Sequence, residues 1–396
     1  MDTGQDATTR AQILATAAEL FRGRTGASIR FTVGELARNL ELHYTAIYHY
    51  FESKDHIVQE LVEMACSRRS ANLKRARKKR GTSLDQLLAF IRLELRESPT
   101  DLLVRPTLLL KSPCREKAEQ AMQMTAREIE ELISQGINDG SIRECAPRIV
   151  ARLITTILNR YANQREPNLM GKGLTARKIA EQVVRLVQSG VVRAPSDFDE
   201  ITGIEPIELP LLSMSPSRFD QMIRALTDAF NASGFDGTSM PRVAASIGVS
   251  KTSFYRYAST KDDLLYLCAR HSVELTALVR RMSRVVATSP LQTLFYNVYL
   301  TRRMLTERPG PFLQPAHFHF LSEQHQLAVW ELFAQTRENL REVIEEAIRA
   351  KEIKTFDAYA ILPAIAICSL QQVKESQAGF SDEVARFLAM GLDSAQ

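Results

Sequence analysis

Residues 31–58, FTVGELARNLELHYTAIYHYFESKDHIV, and residues 238–265, TSMPRVAASIGVSKTSFYRYASTKDDLL, carry one pattern twice. Tyr48 aligns with Tyr255 and Lys54 with Lys261, both at an offset of 207, and upstream Phe21 aligns with Phe230 at 209. Farther on, GINDGSIRECAPRIVARLITTIL and AIRAKEIKTFDAYAILPAIAICSL line up weakly at 211, apolar position to apolar position. A constant offset over that length marks an internal repeat of whole units.

Apolar residues recur at helical spacing on either side of these stretches: Ile13, Leu14, Ala17, Ala18 and Leu20 in one, Ile223, Leu226, Ala229 and Phe230 in the other. Start signals agree with helices. Thr32 with Glu35 makes a capping box, Ser53 and Thr260 precede Lys-Asp pairs, and Ser215-Pro216 offers an N-cap with proline in the first turn. No run of strands is visible, so the fold class is all-α. The boundaries expected are a helix-turn-helix domain at 9–60, a helical regulatory domain at 61–190, a proline-bearing linker at 191–215, a second helix-turn-helix domain at 216–267 and a second regulatory domain at 268–396.

Within each repeat a short helix, a tight turn and another short helix follow one another with helix-turn-helix spacing. At about 100° per residue, the first recognition helix puts Tyr44, Thr45, Tyr48 and His49 on one half of the cylinder and Ala46, Ile47, Tyr50 and Phe51 on the other. The second puts Lys251, Thr252, Tyr255 and Arg256 outward and Ser253, Phe254, Tyr257 and Ala258 inward. Hydroxyls, cations and aromatic edges are the groups that donate to phosphates and touch base edges. His43 and Ser250 stand at the starts of these two helices and join the candidate DNA-contacting set.

Composition permits this and excludes much else. A chain of 396 residues exceeds a single core, and 45% hydrophobic with 24% charged residues is ordinary globular composition. The net charge of +5 tolerates a polyanionic partner without demanding one. Five scattered cysteines without a CxxC give neither a disulfide framework nor a zinc knuckle, which fits a reducing cytoplasm. The N-terminus has no signal-peptide pattern. The longest uncharged apolar stretch, Ala358 to Leu370, is 13 residues long and contains Pro363, too short for a membrane helix and readable as a buried core helix.

The two stretches resemble the DNA-binding domain of the TetR family of bacterial regulators, strongly over about 50 residues per copy and weakly beyond. That resemblance implies operator DNA as partner, with Thr32 and Ser239 capping the second helix against phosphate. It implies Tyr48, His49, Lys54, Tyr255, Arg256 and Lys261 at the DNA backbone, and Tyr44, Thr45, Lys251 and Thr252 toward the bases. It also implies a bundle of about six helices per unit, a repressor released by a hydrophobic or amphipathic effector, and dimerisation through the last two helices. Those helices occur twice here, at Arg148 to Gln164 with Ala176 to Ser189 and at Asp357 to Glu375 with Asp382 to Leu392. One chain can therefore form an intramolecular pseudo-dimer, a homodimer being the alternative. Glu41 stands where the family usually has the turn glycine kept as Gly248, and a non-glycine residue held left-handed costs roughly 1 to 2 kcal/mol.

Other clusters are weaker. RRSANLKRARKKR at 68–80 holds eight cations and no acid, which reads as a solvated helix end or as a flexible basic arm. His317, His319 and His325 in PAHFHFLSEQH have a metal-binding reading, but two histidines one residue apart do not share a helix face. With Tyr296, Tyr299, Phe312, Phe318 and Trp330, His317 and His319 read instead as the lining of an aromatic effector cavity, the alternative being plain core. No catalytic constellation, metal site or cofactor motif stands out. The rival to a regulator is a ligand-binding or protein-interaction scaffold in which one or both helix-turn-helix units no longer bind DNA.

Overall fold

The computed structural model describes residues 3–22, 31–97, 110, 113–162, 174–193, 217–306, 312–370 and 380–395. Among them are sixteen α-helices and no strand. The first eight are α1 (Thr3–Arg22), α2 (Val33–Asn39), α3 (Tyr44–Tyr50), α4 (Lys54–Arg77), α5 (Ser83–Glu97), α6 (Cys114–Asn138), α7 (Pro147–Ala162) and α8 (Ala176–Ser189). The second eight repeat that order: α9 (Arg218–Gly237), α10 (Met240–Ser246), α11 (Lys251–Tyr255), α12 (Lys261–Val286), α13 (Pro290–Thr306), α14 (Glu323–Arg349), α15 (Ala358–Leu370) and α16 (Phe380–Met390), with a 3-10 turn at Pro315–Phe320 before α14. Each helical bundle has five α-helices among the described residues. The expected linker falls almost wholly outside the described residues.

Local chemistry explains where the helices start. Thr260 and Asp263 close a reciprocal capping box on α12, and Ser53 accepts from the His56 amide at the head of α4. The cap of α9 is Ser217, boxed with Asp220, and not Ser215. Asp220 supplies the carboxylate that reaches back, which the Ser-Pro pair lacks. α15 is the apolar 13-residue stretch around Pro363, and no described helix is long and apolar enough to cross a membrane.

Three apolar clusters organise the molecule. One, with Ile13, Leu36, Ile47, Phe51 and Leu61, holds α1–α3 onto α4. A second, with Leu226, Phe230, Phe254, Leu264 and Leu265, does the same for α9–α11 on α12. The third and largest joins the bundles, bringing Leu153, Ile157, Val183 and Val187 together with Ile361, Ile365, Phe387 and Leu388. Helices α7 and α8 pack against α15 and α16 there.

The join is reciprocal. The Arg143 amide donates to Leu392 O at 2.9 Å, and the Lys354 amide donates to Val191 O at 2.8 Å. Arg143 and Lys354 are related by the 211 offset, and each follows a left-handed residue, Gly140 (φ 74) or Lys351 (φ 60). Gly190 (φ 58) and Gly391 (φ 69) end α8 and α16, and both lie where backbones meet. A Cβ on Gly190 would stand 2.1 Å from Ala389 O, and one on Gly391 2.5 Å from Gln188 O. Only glycine fits either place.

Candidate nucleic-acid interface

The turn between α2 and α3 is built by hydrogen bonds within the backbone. Leu42 N donates to Ala37 O at 2.9 Å, and Glu41 takes φ 55. Between α10 and α11, Val249 N donates to Ala244 O at 3.0 Å and Gly248 takes φ 66. The same turn is therefore made by glutamate in one place and glycine in the other.

In the first copy the two faces of α3 separate as the helical period requires. Ile47 and Phe51 are buried and anchor the helix, while Tyr44 and Tyr48 are 53% and 49% exposed, with Thr45 and His49 exposed beside them. Phe51 is fixed further by the Arg10 guanidinium over its ring at 4.8 Å. Thr32 caps α2 by accepting from Glu35 N at 3.1 Å. His43 is the N-cap of α3, its Nδ1 2.7 Å from the Thr45 hydroxyl. Thr45 is thus held by its own neighbour before any partner arrives.

The second copy departs from the expected picture in three ways. First, α11 ends at Tyr255, two residues short of the position where its counterpart ends, so the helical projection no longer governs Tyr257. Tyr257 is 50% exposed, with its ring 5.2 Å from that of Phe219, instead of facing inward; Phe254 and Ala258 carry the burial. Thr252 and Arg256 are exposed and Tyr255 is half-buried, whereas the Lys251 side chain lies outside the described residues. Second, Ser239 stands at the N-cap of α10 without a side-chain bond to it, and Ser250 turns its hydroxyl to Ser253 at 3.0 Å. Third, Lys261 points back into the protein: its Nζ donates to Thr238 O at 2.7 Å and lies 5.0 Å from the Phe235 ring. Lys54 likewise lies over Phe31 at 5.1 Å. Each lysine thus also braces the end of its own domain.

The basic run is not a flexible arm. Residues 68–77 belong to α4, and Arg69 is buried, its Nε 2.8 Å from Glu94 Oε2 and its Nη2 2.9 Å from Asn159 Oδ1. Asn72 completes the set through Glu94 Oε1 at 2.9 Å. Lys74, Lys78, Lys79 and Arg80 are exposed at the far end of the helix.

The aromatic side chains expected to line one effector cavity are divided. Phe318 and Trp330 pack edge to face, 5.9 Å apart, in the cluster that supports the second helix-turn-helix. Phe312 and Tyr299 belong to a separate small cluster with Leu275, Val279, Leu300 and Met304. Tyr296 is half-buried, and the His319 side chain lies outside the described residues. His317 is fully buried with neither ring nitrogen hydrogen-bonded, and burial holds its pKa down to about 4. His325 stands apart from it, with Nδ1 2.6 Å from Asp262 Oδ2 and its ring stacked on Tyr266 at 4.3 Å. Donor atoms of Asp262, Asp263 and His325 lie within 4.8 Å of one another, but both carboxylates already accept from the N-cap amides of helices, Ser322 N and Thr260 N. All five cysteines are free, and burial pushes the Cys268 and Cys368 thiols up to about 12.

A short helix, a left-handed turn and a second helix with an anchored inner face and a polar outer face constitute a helix-turn-helix domain. Residues 223–266 match the family model described as bacterial regulatory proteins, tetR family. Solved structures similar to this chain include the ketosteroid transcriptional regulator KstR2 of Mycobacterium tuberculosis, at 19% identity and TM-score 0.38, covering 47% of this chain and 94% of that one. Another is AibR in complex with isovaleryl coenzyme A and operator DNA, at 19% and 0.39, covering 45% and 96%. A third is the transcriptional regulator FadR from Bacillus subtilis in complex with stearoyl-CoA, at 18% and 0.37, covering 44% and 96%. No curated protein matches the chain.

Proposed function

We propose that the chain is a DNA-binding transcriptional regulator, a repressor that leaves its operator when a hydrophobic or amphipathic small molecule enters a helical bundle. It acts as a single-chain pseudo-dimer. The observation that carries this reading is the reciprocal pairing of Arg143 with Leu392 and of Lys354 with Val191 at the core that the two bundles share, which links the two helix-turn-helix units. Tyr44, Tyr48 and His49 on one unit and Thr252 and Arg256 on the other supply the outward groups that meet phosphates and base edges. An operator mirrors the symmetry of its protein, so the unlike helices HYTAIYHY and SKTSFYRY select unlike half-sites.

Gel-shift titration of DNA from the chain's own promoter, at several salt concentrations, combined with light scattering of the complex, tests both parts. Salt-sensitive binding of one chain per asymmetric site is expected. Absence of a shift at every salt concentration rejects the regulator, and two chains on a perfect inverted repeat reject the pseudo-dimer.

A further inference from the structure

The first unit ends α4 on a charge that the second unit does not keep. Lys74, Arg75, Arg77, Lys78, Lys79 and Arg80 put six cations into seven residues, and all but Arg77 are exposed. The 207 offset persists to this end of the helix: Thr82 caps α5 by accepting from Asp85 N at 3.2 Å, and Ser289 caps α13 by accepting from Gln292 N at 3.2 Å. Lys78, Lys79 and Arg80 therefore correspond to Val285, Val286 and Ala287, and Arg77 to Arg284. Val285 is 83% exposed, so solvent at that position does not by itself require a cation. Arg284 is met by Glu346 at 3.2 Å and Glu342 at 3.9 Å.

In the first unit that compensation is missing. Among the described residues no carboxylate pairs with Lys74, Lys78, Lys79 or Arg80. The carboxylates closest along the chain and across the turn are engaged by backbone amides, Asp85 accepting from Thr82 N at 3.0 Å and Asp139 from Ser83 N at 3.1 Å. The fold also fixes where the charge stands. Ile57 and Leu61 of α4 lie in the cluster that holds the first helix-turn-helix, whereas Leu73 and Ala76 lie in the core that the bundles share. At 1.5 Å per residue the 24 residues of α4 span about 35 Å, so the run sits at the opposite end of the unit from Tyr44 and Tyr48. A duplex seated on the recognition helices does not reach it.

We propose that the basic end of α4 holds a second DNA duplex, separate from the one on the recognition helices and bound without sequence preference. A dense run of Lys and Arg on one exposed helix end matches the closely spaced phosphates of a duplex, and each contact releases a counter-ion. A bilayer fits less well. Binding in the headgroup layer needs an apolar helix face beside the cations, and the apolar side chains of this stretch, Leu73 and Ala76, are already buried in the core. The inference goes beyond the operator reading and does not depend on it, because phosphate contacts need no operator.

Fluorescence anisotropy of a labelled duplex of unrelated sequence, titrated with the full chain over a range of salt, tests this. The variant combining Lys74→Gln, Lys78→Gln, Lys79→Gln and Arg80→Gln is expected to lose at least tenfold in affinity and to lower the salt slope by about 3 to 4, at an unchanged melting temperature. Tyr48→Ala with Arg256→Ala is expected to keep the affinity for unrelated duplex within twofold. One equivalent of promoter DNA should leave the labelled duplex bound to the wild-type chain. Unchanged affinity and slope in the fourfold variant, or displacement of the labelled duplex by that equivalent, would overturn the proposal. So would binding to phosphatidylserine vesicles by a chain that takes up no duplex. A chain that holds the unrelated duplex through the run but shifts no promoter DNA would reject the regulator and leave the second site standing.

Discussion

Glu41 holds the left-handed backbone that Gly248 holds in the other repeat, at φ 55 against φ 66. Relief of the glutamate's steric strain exceeds the extra chain entropy that glycine loses on folding. Glu41→Gly is expected to stabilise the first helix-turn-helix by about 0.5 to 1 kcal/mol, and Gly248→Ala to destabilise the second by about 1 to 2 kcal/mol. No atom lies within 4 Å of a Cβ at Gly248, so that loss reports backbone conformation alone. Urea titration followed by circular dichroism reads both.

Binding should depend on the outward faces and not on the bracing lysines. Tyr48→Ala and Arg256→Ala are each expected to weaken operator binding about tenfold with stability changed by less than about 0.5 kcal/mol, and removal of Arg256 should lower the salt slope by about 1. Lys261→Met should instead lower the melting temperature, because it takes a donor from Thr238 O. Normal affinity in the first two variants, with normal melting, would place the DNA on another face.

The ion pair at the centre of the first bundle gives an asymmetric result. Glu94→Gln leaves the Arg69 guanidinium buried without its counter-charge and should cost about 3 to 5 kcal/mol. The double substitution Arg69→Met with Glu94→Leu removes both charges and is expected to recover most of that loss in the same urea titration. A double variant as unstable as Glu94→Gln would contradict this account.

Acid should weaken the fold through His317. Its folded pKa of about 4 lies below the unfolded value of 6.5, so the unfolded chain binds the proton first. The stability this neutral histidine contributes is present above pH 6.5 and is lost progressively as pH falls from 6.5 to about 4, by about 3 kcal/mol in all. His317→Phe should flatten that part of the stability profile; an unchanged slope would show that other groups set it.

Much of this was legible in the sequence because local rules govern it. Glu41 against Gly248, the Thr260 cap and the split between Ile47 and Tyr48 all follow from spacing along a single helix or turn. The rest required knowing which helix a face meets. Phe318 and Trp330 have the composition of a cavity lining, yet they support the second helix-turn-helix, since periodicity gives a direction and no neighbour. Tyr257 turned outward because α11 stops early, and helix ends are where propensity is weakest. Lys261 found a carbonyl twenty-three residues away, at Thr238, which no spacing argument anticipates. Arg69, the cation that pairs with Glu94, was hidden in a run that reads as solvated charge.

The close crossing at Gly190 and Gly391 also bears on how the proposed regulator would respond to its own abundance. Separate subunits assemble in proportion to the square of their concentration, so a dimeric repressor becomes scarce faster than its message does. On the proposed single-chain reading, both halves of the crossing are delivered by one translation event, and an operator-binding species would rise linearly with copy number. On that reading, a cell holding a few molecules after division would retain a working switch, and the two halves could diverge in sequence without competing to pair with themselves.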